Sequence, residues 1–120
     1  MKILAGLLLA LVAASHFAFM AAEMFFWTHP SVMRSFNTTP DFAAASRVLA
    51  GNLGLYNGFL GAGTLWALIS GRFDLRVFFL SCIVVAGLYG GLTSKTSILF
   101  VQALPAALAL AASWFAARVR

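Results

Sequence analysis

Of the 120 residues 62% are apolar and 9% are charged, and the mean hydropathy of +0.97 is one that no ordinary soluble domain carries. A soluble chain of this length leaves roughly a third of its surface wet; eight Lys or Arg and three Asp or Glu cannot cover it, so the solvent is lipid. The 14% aromatic content excludes disorder, the single cysteine, Cys82, excludes a disulfide scaffold, and the formal charge of +5 is scattered between apolar runs as membrane flanks, not gathered into a nucleic-acid surface.

Residues 3–27 read as the first span, about 25 residues or ~37 Å of helix, enough to cross a hydrocarbon core of ~30 Å with some tilt. A cleaved leader is the rival, since Lys2 precedes an apolar stretch that reaches Val12-Ala13-Ala14-Ser15. The run continues through Phe17, Ala18, Phe19 and Met20, however, past the ~7 to 15 residues of a leader's apolar region. Residues 28–41 collect His29-Pro30, Arg34, Asn37, Thr38, Thr39 and Pro40 and read as a surface loop. Within it Thr38-Thr39-Pro40-Asp41 carries the marks of a helix start: a hydroxyl cap, a proline in the first turn and a carboxylate near the positive end of the dipole. A long second helix is expected from there, its first turns interfacial and its span at 48–69. Ser70-Gly71 supplies the stop and Arg72 to Arg76 the loop. The third span is then 77–92 and, after a tight turn, the fourth is 98–119.

Basic residues in the short flanks set the orientation. With the N-terminus inside, Lys2, Arg72, Arg76, Arg118 and Arg120 lie inside, against Arg34, Arg47 and Lys95 outside. Trp27 then sits at one membrane surface, with Trp66 and Trp114 near the other. The expected fold is an all-α integral membrane protein, a bundle of four transmembrane helices with both termini cytoplasmic. It forms a single domain over residues 1–120 in the bacterial inner membrane.

Polar residues inside the spans carry the functional information. An ionisable group there costs about 2.5–3.5 kcal/mol on insertion scales and is turned inward, paired or functional. Glu23 is the one carboxylate in a predicted span. At about 100° per residue, His16, Met20, Glu23 and Trp27 fall on one stripe. Asn52 and Tyr56, at i and i+4, share a face of the second span, with Asn57 beside them. A separate stripe of Gly51, Gly54, Gly58 and Gly61 has the small-residue spacing that lets backbones approach in lipid, and it also offers a face for a homodimer. The third span brings Tyr89 above Cys82, and the fourth brings Gln102. Glu23, Trp27, Asn52, Tyr56, Asn57, Tyr89 and Gln102 all fall at one level, the outer half of the bundle, whereas the inner halves are Leu, Ala, Val and Phe. A polar pocket is expected there. The plainer alternative is a set of interhelical hydrogen bonds worth roughly 0.6 kcal/mol each; for Glu23 a neutral amide would serve that purpose at lower cost. His16, deeper in the span, fits a satisfied core residue or a proton carrier equally.

No phosphate-cradling glycine loop, no His or Cys pair at metal spacing, no Gly-x-Ser-x-Gly and no lipidation signal is present, so neither cofactor nor metal is expected. His16 with Glu23-Met24-Phe25-Phe26-Trp27-Thr28, then Asn52-Leu53-Gly54-Leu55-Tyr56-Asn57-Gly58-Phe59-Leu60, Ala86-Gly87-Leu88-Tyr89-Gly90 and Phe100-Val101-Gln102-Ala103-Leu104-Pro105 together resemble the small four-helix bacterial and fungal membrane proteins of domain of unknown function 1304. In that family glutamine often stands where this chain has Leu53. The resemblance implies a four-span membrane protein, and some relatives carry an epimerase label. A glutamate in the first helix of a short four-span chain also matches small multidrug exporters, but the surrounding motifs do not.

Three functions compete. The first is binding or transport of a small amphiphile or lipid, with Glu23 holding a proton or cation, Trp27 and Tyr56 stacking, and Asn52, Asn57, Tyr89 and Gln102 orienting the ligand. The second is an intramembrane isomerase or epimerase, with Glu23 or His16 as base and Tyr89 or Tyr56 as the opposing acid. The third is a structural subunit of a membrane complex.

Overall fold

The computed structural model describes residues 1–118; Val119, the last residue of the predicted fourth span, and Arg120, counted among the inner basic flanks, lie outside the described residues. Every regular element described is helical: α1 (Lys2–Phe25), α2 (Pro30–Phe36), α3 (Pro40–Ala45), α4 (Arg47–Ser70), α5 (Phe73–Thr93), a π-helical segment at Leu99–Ala103, and α6 (Leu104–Arg118). Three stretches are long and apolar enough to cross a membrane: Lys2–Phe25, Phe73–Thr93 and Leu99–Arg118. The 24 residues of α4 match α1 in length, but Asn52, Tyr56, Asn57 and a run of glycines dilute its apolarity.

The segment read as a loop over 28–41 holds a helix and the start of another. Pro30 occupies the first turn of α2, where its missing N–H costs nothing, and His29 caps it by accepting from the Ser31 amide at 3.2 Å through Nδ1. Asn37 stops α2 in the left-handed conformation at φ 54°. Thr39 then caps α3, its Oγ1 accepting from Phe42 N at 3.2 Å, with Pro40 and Asp41 in the first turn. The long second helix is interrupted at Ser46, whose hydroxyl donates back to the Phe42 carbonyl at 2.6 Å. Back-bonding of this kind bends helices.

At the far end of α4, Gly71 adopts φ +68°, a conformation that glycine takes without strain. The next helix starts earlier than expected. Arg72 is its N-cap, and Asp74 in its first turn forms an exposed ion pair with Arg72, so Phe73 to Arg76 is helical and not loop. The predicted fourth span begins with a wide π-turn. Pro105 has no N–H to offer the α-helical ladder, and the amide of Leu104 reaches back five residues to the Leu99 carbonyl.

The chain divides into two compact units, the division falling within α1 and α4. In the unit formed by Met1–Ala14 and Leu60–Arg120, Leu9, Val12, Leu80, Ile83, Ala106 and Ala109 are buried as one core, flanked by Leu8, Leu60, Leu68, Val84 and Leu110. A second cluster is all alanine: Ala5, Ala112 and Ala116. In lipid such contacts hold by close fit, because the tails are as apolar as the side chains. Glycines supply that fit: a Cβ at Gly87 would lie 2.6 Å from the backbone nitrogen of Ala103, one at Gly91 2.3 Å from Leu99 Cδ2, and one at Gly63 2.1 Å from the Phe79 ring. The unit Ser15–Phe59 contains the later turns of α1, both short helices and the first turns of α4, with Ala43 and Ala50 buried.

Candidate functional site

The site is built where α1 and α4 meet inside Ser15–Phe59. Gly54 permits the approach: a Cβ there would stand 2.7 Å from Met24 Cγ, 3.0 Å from Glu23 Cβ and 3.1 Å from the Met20 carbonyl oxygen. One turn on, a Cβ at Gly58 would stand 2.6 Å from Met20 Sδ. Between these two glycines Asn57 donates through Nδ2 to Glu23 Oε2 at 2.8 Å. Both residues are half-buried. A carboxylate accepts at up to about four lone-pair positions, so one amide donor satisfies part of its capacity. Neither helix offers a cation nearby: α1 has no Lys or Arg after Lys2, and α4 has none after Arg47. The arrangement is therefore a half-buried carboxyl group with acceptor capacity to spare, oriented by one amide and bordered by two flexible thioethers.

Other residues expected at this level are placed differently. Trp27 lies beyond the end of α1, and its indole N–H donates to Ser46 Oγ at 3.0 Å while its ring meets Phe36 edge-on at 5.0 Å. Its polar atom is thus committed to the joint between α3 and α4. Asn52 turns its amide back on its own helix, donating to the Val48 carbonyl at 3.0 Å. Tyr56 does share its face with Asn52, but that face is outward, with Tyr56 62% exposed and packed edge-on to Phe59. His16 is buried to 1% and meets Phe19 edge-on at 5.5 Å.

Tyr89 and Gln102 belong to the other unit. Tyr89 is 72% exposed, an outward position on α5. Gln102 is half-buried within the π-helical segment. Cys82 is a free thiol on α5. Among the described residues no three His, Cys, Asp or Glu converge as metal ligands do.

The glycine stripe read as packing or as a dimer face is spent within the chain at Gly54 and Gly58, whereas a Cβ at Gly51 meets nothing within 4 Å. Sequence reasoning missed Ser46, the acceptor for Trp27. Its sign was a serine four residues after Phe42, placed to back-bond at a helix joint. The contacts of Met20, on the Glu23 stripe at i−3, and of Met24, its chain neighbour, have no signal in the sequence pattern.

No solved structure matches the chain. The chain is similar over 119 residues to an uncharacterized protein, YpaA, of Lactococcus lactis subsp. lactis (strain IL1403), with 35% identity, 96% of this chain and 100% of that one being covered. The model of a family described as protein of unknown function (DUF1304) matches residues 10–114, a stretch that includes every residue of the candidate site. A full-length relative and a family match over most of the sequence agree, and the chain belongs to the DUF1304 family.

Proposed function

We propose that this chain is a four-span protein of the bacterial inner membrane, with both termini cytoplasmic, that binds a small cationic amphiphile at the Glu23–Asn57 pair. The observation that carries the reading is the 2.8 Å bond from Asn57 to Glu23 in a stretch of two helices without a lysine or arginine. A carboxylate in an apolar helix is costly, and a packing role does not need one. An amine-bearing amphiphile supplies the missing charge and the remaining donors, and Met20 and Met24 adapt to its apolar part, as thioethers do at promiscuous surfaces. In this reading α4 also crosses, as the second of the four spans, carried by packing of its glycines in spite of its polar residues.

Native mass spectrometry of the detergent-extracted chain tests the ligand. A bound small molecule carried by the parent and lost in Glu23→Gln is the expected result; the same adduct on both chains, or on neither, contradicts it. Labelling tests the topology. In a Cys82→Ala background, Asp41→Cys is expected to react with an impermeant thiol reagent from the periplasm and Arg72→Cys only after the membrane is opened. The reverse pattern overturns the orientation.

A further inference from the structure

In the unit formed by Met1–Ala14 and Leu60–Arg120, a cavity of about 370 Å³ is lined by Lys2, Gly71, Phe73, Arg76 and Ser113 together with Ala116 and Ala117. Two of these groups are cations and none is a carboxylate; Asp74, nearby in sequence, is paired with Arg72. Arg76 is steadied by donating through Nε to the Ala67 carbonyl at 3.4 Å, which uses one of its five N–H donors. Ser113 is 1% exposed, and its hydroxyl has no hydrogen-bond partner among the described residues. Buried hydroxyls are normally satisfied, so an oxygen acceptor in this cavity completes the group. Two cations and a hydroxyl donor converging on one space suit a phosphate.

The surroundings decide which phosphate. Phe73, in the lining of the cavity, packs on Trp114 with ring centroids 5.7 Å apart. Trp114 in turn lines a groove of about 480 Å³ between α5 and α6 whose walls, among them Val77, Val84, Leu110 and Phe115, are apolar. The Arg118 guanidinium lies 4.8 Å from the centroid of the Trp114 ring, adding positive charge at the same end. A basic pocket opening beside an apolar groove on a membrane-crossing helix pair has the chemistry of an anionic lipid, headgroup and chain. We propose that Lys2, Arg76 and Ser113 hold the phosphate of an anionic phospholipid whose acyl chain lies along the α5–α6 groove. The site is independent of Glu23 and stands whether or not that residue binds a ligand.

Native mass spectrometry with equal amounts of phosphatidylglycerol and phosphatidylcholine reads the assignment. A cation at the lipid surface is worth about a fivefold change in affinity, so the parent is expected to retain the anionic lipid about 25-fold over the zwitterionic one. Lys2→Gln combined with Arg76→Gln removes the preference, and Ser113→Ala weakens it, both with helical circular dichroism unchanged. Should the double variant fail to fold, Lys2→Gln alone, at an exposed position, carries the test with an expected loss of about fivefold. Arg34→Gln, in the other unit, leaves the preference as it was. Equal retention of the two lipids by the parent, or a loss in Arg34→Gln as large as in Lys2→Gln, overturns the site. Displacement of phosphatidylglycerol by millimolar inorganic phosphate assigns the cavity to a soluble anion and overturns the lipid.

Discussion

Both units join helices over glycine, but Gly58 and Gly87 meet different kinds of neighbour. In Ser15–Phe59 the nearest atom to a Cβ at Gly58 is the Sδ of Met20, and at Gly54 it is the Cγ of Met24. In the other unit a Cβ at Gly87 faces the nitrogen, Cα and Cβ of Ala103, all within 2.8 Å. A thioether on three rotatable bonds can move aside, whereas a backbone held in a π-turn cannot. The unit with the Gly58 contact holds the Glu23–Asn57 bond; the other packs a cluster of leucine, valine, isoleucine and alanine, with Thr64 and Ser113 buried as well. The Glu23–Asn57 pair, at which we propose that an amine binds, lies among the yielding contacts.

Four substitutions test that contrast through unfolding in detergent. Gly87→Ala drives a methyl into the Ala103 backbone and is expected to cost about 3 kcal/mol, the upper end for overpacking. Asn57→Leu withdraws the amide from the half-buried Glu23 carboxylate and is expected to cost about 2 kcal/mol, mainly as the penalty of a polar group left without its donor. Trp27→Phe keeps the ring against Phe36 but loses the bond to Ser46, for about 1 kcal/mol, and hydrogen exchange should quicken at the joint between α3 and α4. Gly58→Ala is expected to be nearly neutral. The helix gains about 1 kcal/mol of propensity, which offsets the displacement of Met20. Equal losses at Gly87 and Gly58 would break the contrast between a rigid and a yielding contact.

Much of this was legible in the sequence. Apolar continuity located the long helices, and the string Thr38-Thr39-Pro40-Asp41 located the start of α3 to the residue, because a hydroxyl cap followed by proline is a local signal that needs no tertiary context. The level of Glu23 and Asn57 was also readable, since depth follows from counting residues along a span. Rotation about the helix axis was not. Tyr56 and Tyr89 obey the same spacing whether they face a neighbour or lipid, and both face outward. The short helix α2 has no apolar pattern to show itself, since none of its seven residues is buried, although Pro30 and Asn37 mark its two ends. The π-turn leaves two traces, Pro105 and the pair Gly87 and Gly91, but a wider turn has no signature at a period of 3.6 residues.

The claim that Glu23 is kept for a ligand is tested most directly by titrating a long-chain alkylamine against the parent and against Glu23→Gln in the same detergent. Glutamine preserves the shape and can still accept from Asn57, so both chains are expected to unfold at the same temperature. Loss of the carboxylate should weaken amine binding by about tenfold or more, about 1.4 kcal/mol of charge interaction. Equal affinity for the amine in the two folded chains contradicts the assignment and leaves the pair as a packing contact.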